Sequence, residues 1–186
     1  MLVVKITPAM RERAFNFASQ IIRDGNQYNR LPTSIKKRIE RTFVGKLAEY
    51  VFLIYLRRQG INYPEGDMFT IYPGERNVDG YDFITNNSET VDIKSAYKNY
   101  HRRIMVPIDQ FENIPKNYYV GIKFVNTDLS NNGLVLRDSL NQARIYGFCT
   151  YDVLRKRPTE DYGEGLCKAI ELDKLDNIDV LVNMFR

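Results

Sequence analysis

The chain is poor in the residues that form sulfur and imidazole metal sites. Its 186 residues include two cysteines and one histidine. Cys149 and Cys167 form no C-x-x-C unit, and His101 is distant from both in the sequence. A structural zinc site is therefore not expected. So few cysteines are typical of proteins from a reducing compartment, where they serve as small core residues.

Long apolar runs are also missing. No run approaches the ~20 apolar residues that a membrane-spanning helix needs, and the first residues contain no signal-peptide core. We therefore expect a cytoplasmic protein with no membrane partner. Hydrophobic residues make up 44% of the chain, which excludes global disorder and suits one domain. The formal charge of +4 permits nucleic-acid binding without establishing it.

Helical spacing dominates the first third of the chain, and strand patterns follow. Helices are predicted over about 7–24 and 34–59, with shorter ones at 151–157 and 175–184. Strands are predicted at 61–63, 68–72, 81–85, 90–95, 104–108, 118–125, 143–150 and 167–172. A polar loop is predicted at 128–133. This order predicts a single α/β or α+β domain with a central mixed sheet flanked by helices.

The strand at 90–95 contains a carboxylate and an ammonium two residues apart. Side chains at i and i+2 of a strand share a face, so Asp92 and Lys94 should project together while Val91 and Ile93 point the other way. A carboxylate that can bind a metal, next to a lysine that can meet a phosphate, suggests phosphodiester chemistry. The D-x-K pattern alone is weak because it is common by chance.

A second aspartate, Asp82, lies in the preceding strand. A hairpin turning at 86–88 would place Asp82 beside Asp92. Neighbouring carboxylates repel unless a cation lies between them, and magnesium prefers oxygen ligands. Asp82, Asp92 and the backbone carbonyl of Ile93 would therefore make part of a magnesium shell. Asp79 is a second candidate for the first acid.

A third acid, Glu49, lies in a largely apolar stretch of the long helix. A carboxylate in such a position is costly unless it is paired, hydrated or bound to metal. Glu49 is therefore expected to extend the metal shell or to orient a water molecule. The alternative is purely structural: a surface hairpin with an Asp/Lys pair, and a helix glutamate in a salt bridge.

Glu49 on a helix, then Asp82, then Asp92-Ile93-Lys94, resembles the core of the PD-(D/E)xK nucleases. The resemblance covers about 40–125, and the sequence departs from the family pattern where Tyr81, instead of proline, precedes Asp82. It implies a restriction-endonuclease-like fold across 1–186. The helical N-terminal part would be 1–60, the catalytic sheet core about 40–125, and the C-terminal completion 126–186.

The resemblance also implies the chemistry and the cofactor. Asp82, Asp92 and the Ile93 carbonyl would bind one or two Mg²⁺ ions, for which Mn²⁺ can substitute, and Glu49 would bind a second ion or its water. Lys94 would stabilise negative charge in the transition state. Basic residues in two stretches are candidates for contacts to the DNA backbone. These are Lys36, Lys37, Arg38 and Arg41, and Lys98, His101, Arg102 and Arg103; the alternative is ordinary solvated surface.

The implied function is a magnesium-dependent DNA endonuclease of the restriction type. The size and layout are similar to the small strand-cleaving subunit of a heterodimeric type IIS restriction endonuclease, in which a larger subunit recognises the site. The expected partners are double-stranded DNA and that larger subunit or a second copy of the chain. A stand-alone homodimeric enzyme, a catalytically silent DNA-binding module, and an enzyme acting on RNA or branched DNA remain alternatives.

Overall fold

The computed structural model describes residues 2–23, 34–71, 80–126, 137–163 and 165–186. The helices are α1 (Pro8–Arg23), α2 (Ile35–Arg58), α3 (Ile108–Asn113), α4 (Tyr151–Arg155) and α5 (Ile178–Asn183). The strands are β1 (Leu2–Lys5), β2 (Phe83–Ile84), β3 (Thr90–Ala96), β4 (Arg103–Pro107), β5 (Tyr118–Asn126), β6 (Leu140–Thr150), β7 (Thr159–Asp161) and β8 (Leu166–Glu171). Short 3-10 turns occupy Arg137–Ser139 and Leu172–Lys174.

Together these elements form a single α+β domain with two sheets. The larger sheet has the order β1-β6-β5-β3-β2 and is mixed, because β3 and β5 run parallel while every other pair is antiparallel. Two register shifts in the β5–β6 pair curl it. The smaller antiparallel sheet has the order β4-β8-β7. A single domain with a mixed sheet and packed helices is thus confirmed.

The large sheet is covered on both faces. On one face, α1, α2 and α5 pack onto it to form the larger core, which includes Val91 and Ile93 of β3. On the other face, the small sheet, α3 and α4 form a second core. Ala96, Tyr119 and Cys149 are the buried contributions of the large sheet to this second core. Successive β3 residues therefore reach different environments, as the alternation of side chains in a strand requires.

The long helix α2 begins where its sequence predicts. Ser34 is the N-cap, and its Oγ accepts a hydrogen bond from the Lys37 backbone N–H at 3.3 Å. The apolar second half of α2 is fully buried at Val51, Phe52 and Leu53. Burial on this scale explains why the helix is apolar around much of its circumference, because it lies between α1 and the large sheet.

Two predicted strands are wrong. Residues 61–63 and 68–71 are irregular or turn structure, and Tyr72 lies outside the described residues. Their apolar side chains pack on the larger core, as Ile61, Tyr63, Met68 and Phe69 do. Backbone hydrogen bonds in this segment close locally: the Met68 N–H bonds the Glu65 carbonyl at 3.3 Å. Burial of apolar residues therefore produced the strand-like pattern without a partner strand.

Three short elements were not predicted: β1, β7 and α3. β1 pairs at the edge of the large sheet with Leu2 and Val3 exposed, and β7 is three exposed residues long. α3 starts after Pro107 with no side-chain cap. The predicted loop at 128–133 lies outside the described residues. Within the described ranges, no helix has both the length and the apolar character required to cross a membrane.

Candidate active site

A cleft of about 400 Å³ opens beside β3, between α2 on one side and β4 with α3 on the other. All four predicted active-site side chains line it: Glu49, Asp82, Asp92 and Lys94. They arrive from three different elements, so the cleft is a product of tertiary packing. The predicted hairpin is confirmed, because β2 pairs antiparallel with β3 and places Phe83 opposite Val91.

Asp82 lies immediately before β2, which begins only at Phe83. That strand contains two residues, so β3 has no strand partner on this side at Ile93. The Asp82 carboxylate takes the missing place: the Ile93 N–H donates to its Oδ2 at 2.7 Å. A second contact, from the Asp82 N–H to the Val91 carbonyl at 3.0 Å, aligns the backbone. The aspartate thus continues the hydrogen-bonding ladder with its side chain and lies at the open edge of β3.

Asp92 and Lys94 share a face of β3, as predicted. Lys94 Nζ lies 2.7 Å from Asp92 Oδ2, and both side chains are mostly buried, with 15% and 16% exposed for Lys94 and Asp92. Lys94 Nζ also donates to Oε1 of Gln110 on α3 at 3.2 Å. The ammonium is therefore held between a carboxylate and an amide oxygen. This pair lines a cleft instead of an open surface, which departs from the surface-hairpin alternative.

Glu49 faces the cleft from α2 and is paired within its own helix. Lys46 Nζ lies 2.6 Å from Glu49 Oε2, at an i,i+3 spacing, and the two side chains are 7% and 15% exposed. The same ammonium lies 4.9 Å from the centre of the Phe17 ring, which is within the range of a cation–π contact. The salt bridge that the structural alternative assumes for Glu49 is therefore present, and it lies inside the cleft.

The acids in the cleft crowd one another. The pKa of Asp82 is raised well above its usual value, first by burial and then by the negative charges of Glu49 and Asp92. The Ile93 N–H and the Lys94 ammonium act in the opposite direction without cancelling these causes. Three carboxylates thus share one site, and the positive charge nearby is too small to return the pKa of Asp82 to its usual value. Such crowding is typical of sites that bind cations or perform acid–base chemistry.

The donor set fits magnesium held by few protein ligands. Among the described residues, no three acidic, histidine or cysteine side chains are grouped closely enough to hold a metal by themselves. Magnesium, however, is commonly bound through one or two carboxylates, with water and substrate phosphate completing the shell. Asp82 and Asp92 supply such carboxylates. The Ile93 carbonyl points to the same side of β3 as its N–H, toward Asp82, because both groups of a strand residue face the same neighbour.

Basic side chains line the cleft, although they are only partly those predicted. Of the predicted residues, Arg38, Arg41, His101 and Arg103 line it, whereas Lys36, Lys37, Lys98 and Arg102 do not. Apart from Lys46 and Lys94, already described, Lys116 also lines it, from the segment after α3. The cleft is therefore acidic at its centre and carries cations on both sides.

The turn before β4 is held in place by Lys123 of β5. Its Nζ donates to the carbonyl of His101 at 2.7 Å and to that of Asn99 at 3.3 Å. His101 Nδ1 in turn accepts from the Tyr97 N–H at 3.3 Å. Because Nδ1 is an acceptor, the proton of a neutral His101 ring is on Nε2. Sequence patterns alone did not reveal this support, since Lys123 lies in a buried strand.

Two residues of the site were missed by sequence reasoning. Gln110 lies on α3, which was itself not predicted, so no pattern pointed to it. Lys46 had a usable signal, because residues three apart on a helix are neighbours and Lys46 precedes Glu49 at that spacing. Asp79, the second candidate for the first acid, lies outside the described residues.

Comparisons of the chain with protein-family models, curated proteins and solved structures found no match. The geometry of the cleft and the residues that line it are therefore the basis for proposing a function.

Proposed function

We propose that this protein is a magnesium-dependent endonuclease that hydrolyses phosphodiester bonds in DNA, with the restriction-endonuclease-like fold of the PD-(D/E)xK superfamily. One observation carries the proposal: Asp82 and the Asp92–Lys94 pair meet at the open edge of β3. Two contacts of 2.7 Å define this arrangement, from the Ile93 N–H to Asp82 and from Lys94 to Asp92. Two carboxylates and an ammonium in one cleft suit the polarisation and hydrolysis of a phosphodiester.

Asp82, Asp92 and the Ile93 carbonyl would hold the magnesium ion. When bound, it supplies Lewis acidity, which polarises a phosphoryl oxygen and lowers the pKa of water. The reaction adds water across the P–O3′ bond, so the products carry a 5′-phosphate and a 3′-hydroxyl. Lys94 contributes its ammonium to the developing negative charge on the phosphoryl group, and Gln110 with Asp92 orients that ammonium.

DNA as the substrate is supported by the charge on both walls of the cleft. Arg38 and Arg41 face it from α2, and His101 and Arg103 face it from the opposite side. Cations flanking an acidic centre match a polyanion whose scissile phosphate lies at the metal and whose neighbouring phosphates lie on either side. The basic residues would then position the strand without reading its sequence.

The restriction-endonuclease-like assignment is supported by element order. A long helix with an acid is followed by an antiparallel hairpin that supplies the two aspartates. The chain then crosses over through β4 and α3 to β5, which runs parallel to β3. The three acids and the lysine proposed for the active site lie on α2, on β3 or immediately before β2, and Gln110 joins them from α3.

We further propose that the protein is the small strand-cleaving subunit of a heterodimeric restriction endonuclease. The described residues form one domain, most of which is used to build the two cores and the cleft. The helices flanking the cleft belong to these cores, and no separate recognition module stands apart from them in the described ranges. Base recognition would then come from a larger partner. A homodimer is the competing arrangement.

The test is cleavage of supercoiled plasmid with Mg²⁺ or Mn²⁺. We expect Asp92→Ala and Lys94→Ala to lower cleavage by about 10²–10⁴-fold, because each removes a group that acts on the transition state. The exposed Asp173→Ala serves as the control and should cleave normally. Circular dichroism confirms folding of each variant. Full activity of Asp92→Ala would refute the site.

The same assay separates the possible roles of the protein. Nicking of one strand by the purified chain supports the subunit role. Site-specific cleavage of both strands without another chain would contradict it and would favour the homodimer. DNA binding without any cleavage, under all metal conditions and at high protein concentration, would favour a silent binding module.

A further inference from the structure

Three cations lie together behind the turn that forms one wall of the cleft, and they do not line the cleft itself. They are Arg102 on the turn, Lys123 on β5 and Arg144 on β6. We propose that Arg102, Lys123 and Arg144 form a second phosphate-binding site, which holds the backbone of the DNA strand where it leaves the active-site cleft. This inference rests on the proposed function and adds the path of the substrate beyond the cleft.

Lys123 and Arg144 lie opposite each other in the large sheet. The antiparallel pairing of β5 with β6 places them in register, and it pairs Phe124 with Ala143 next to them. Phe124 and Ala143 are buried in the larger core, so the two basic side chains lie on the other face of the sheet, as the alternation of a strand requires. Like charges directly opposite each other destabilise a sheet, and a bound anion would offset that repulsion.

Arg102 reaches the same place from the turn before β4. Its Nη1 donates to the carbonyl of Asn99 at 2.8 Å, and Lys123 Nζ donates to the same carbonyl at 3.3 Å. Two cations thus meet at one carbonyl oxygen. A guanidinium has five N–H donors, so this contact leaves the exposed Arg102 side chain able to bind a phosphate as well.

The positive charge of these three residues is not balanced by acids in the part of the chain that the structure describes. No acid there forms a salt bridge with Arg102, Lys123 or Arg144. Burial lowers the pKa of Lys123, and the positive charges of Arg102 and Arg144 lower it further. Arg144 Nε is shielded from solvent and has no hydrogen-bond partner among the described residues, which is costly for a buried donor. A phosphate would reduce the repulsion and give the Arg144 guanidinium an acceptor.

The three cations are also close to the catalytic strand. β3 and β5 run parallel with Ala96 beside Lys123, and Ala96 is two residues beyond Lys94 on the same face. His101, which precedes Arg102, lines the cleft, and its carbonyl accepts from Lys123 Nζ at 2.7 Å. One turn of the chain therefore separates the cleft from the cluster. A DNA strand with one phosphate beside Lys94 needs only to cross this turn to place a further phosphate on the cluster.

The experiment measures binding of a fluorescently labelled DNA duplex by anisotropy over a range of salt concentrations, with chelator present so that no cleavage occurs. Each phosphate contact contributes about 0.9 to the slope of log affinity against log salt concentration. We expect Arg102→Gln and Arg144→Gln each to lower the size of that slope by about 0.9 and to weaken binding equally for unrelated duplex sequences. Arg144→Lys, which keeps the charge, should retain the wild-type slope. Arg58→Gln, at an exposed arginine outside the cleft and the cluster, is the matched control and should also retain it.

An unchanged slope for the folded glutamine variants would overturn this inference. Variants that bind DNA normally but lose binding of polyglutamate would also overturn it, because the cluster would then be a site for an acidic protein. If Arg144→Gln does not fold, Arg102→Gln decides, since Arg102 is exposed.

Cleavage by the wild type with Mg²⁺ tests the nuclease proposal separately. A wild type that cuts DNA, with variants that bind DNA as it does, would refute only the second phosphate site. A wild type that cuts no DNA, with slopes that fall as expected, would refute the nuclease function and would support the second phosphate site on a DNA-binding protein.

Discussion

Replacement of Asp82 by asparagine should make the protein more stable and inactive at the same time. Asparagine has nearly the same shape, and its side-chain oxygen can still accept the Ile93 N–H that Asp82 accepts at 2.7 Å. The substitution removes one negative charge from a site where burial, Glu49 and Asp92 raise the pKa of Asp82. Relief of this crowding should stabilise the fold, and loss of the carboxylate should abolish metal binding and cleavage.

The magnitude follows from what relief of unfavourable charge at a functional site usually contributes. Such changes commonly stabilise a fold by about 0.5–2 kcal/mol each, and burial and the neighbouring carboxylates raise the pKa of Asp82, which sets the sign. We therefore expect Asp82→Asn to raise the free energy of unfolding by about 0.5–2 kcal/mol at pH 7.5. For a chain of this length, each kcal/mol raises the Tm by roughly 2–4 °C.

The effect should depend on pH in a defined direction. In the unfolded chain an aspartate ionises near pH ~3.9, whereas folded Asp82 keeps its proton to higher pH. Wild-type stability is therefore lost as the pH rises from about 4 through the folded pKa. Below about pH 4 both states hold the proton, so the advantage of Asp82→Asn should disappear there.

Urea unfolding at pH 7.5 and at pH 3.5, with chelator present, measures both effects. Asp173→Asn, at an exposed aspartate outside the cleft, controls for the loss of one negative charge from the whole chain. An Asp82→Asn variant less stable than the wild type at pH 7.5 would refute the argument. It would mean that the Ile93 N–H and the Lys94 ammonium fully compensate the Asp82 charge.

Two further predictions concern packing and the orientation of Lys94. Gly147→Ala should destabilise the fold by roughly 2–3 kcal/mol in urea unfolding, because its new Cβ would overlap the Asp176 carbonyl. Gly45→Ala, whose Cβ would meet open space within α2, should instead stabilise the fold by about 1 kcal/mol, and equal effects would contradict this account. Gln110→Leu should lower kcat about tenfold with little change in KM, because it removes the 3.2 Å acceptor of Lys94; an unchanged kcat would exclude this role.

The parts of the fold that could be predicted are those in which neighbouring residues carry the signal. α2 has its Ser34 cap and a long apolar stretch, and both act within a few residues. The β2–β3 hairpin has its turn at 86–88, where Ser88 adopts a positive φ of 62°. The strand predictions that failed concern segments such as 61–63, where apolar residues are buried but no second strand is available for pairing.

The candidate site could likewise be predicted only in part. That Asp92 and Lys94 share a face follows from the two-residue period of a strand, and the contact of 2.7 Å agrees with it. The amide that orients Lys94 could not be predicted, because Gln110 reaches it only through the packing of α3 beside β4. The basic residues could be recognised as candidates, but not sorted, since the orientation of the cleft decides which of them line it.

By itself, the sequence determined which chemical groups are present and on which side of their own helix or strand they lie: three acids and a lysine in a fixed order on a helix and a hairpin. Tertiary structure alone decided that β2 begins only after Asp82, which leaves the Asp82 side chain to reach the Ile93 N–H, and that Glu49 lies near Asp82 while paired with Lys46. The physical reason is that side-chain facing repeats with the local backbone geometry. The distance between a helix and a sheet edge depends instead on how the whole core packs.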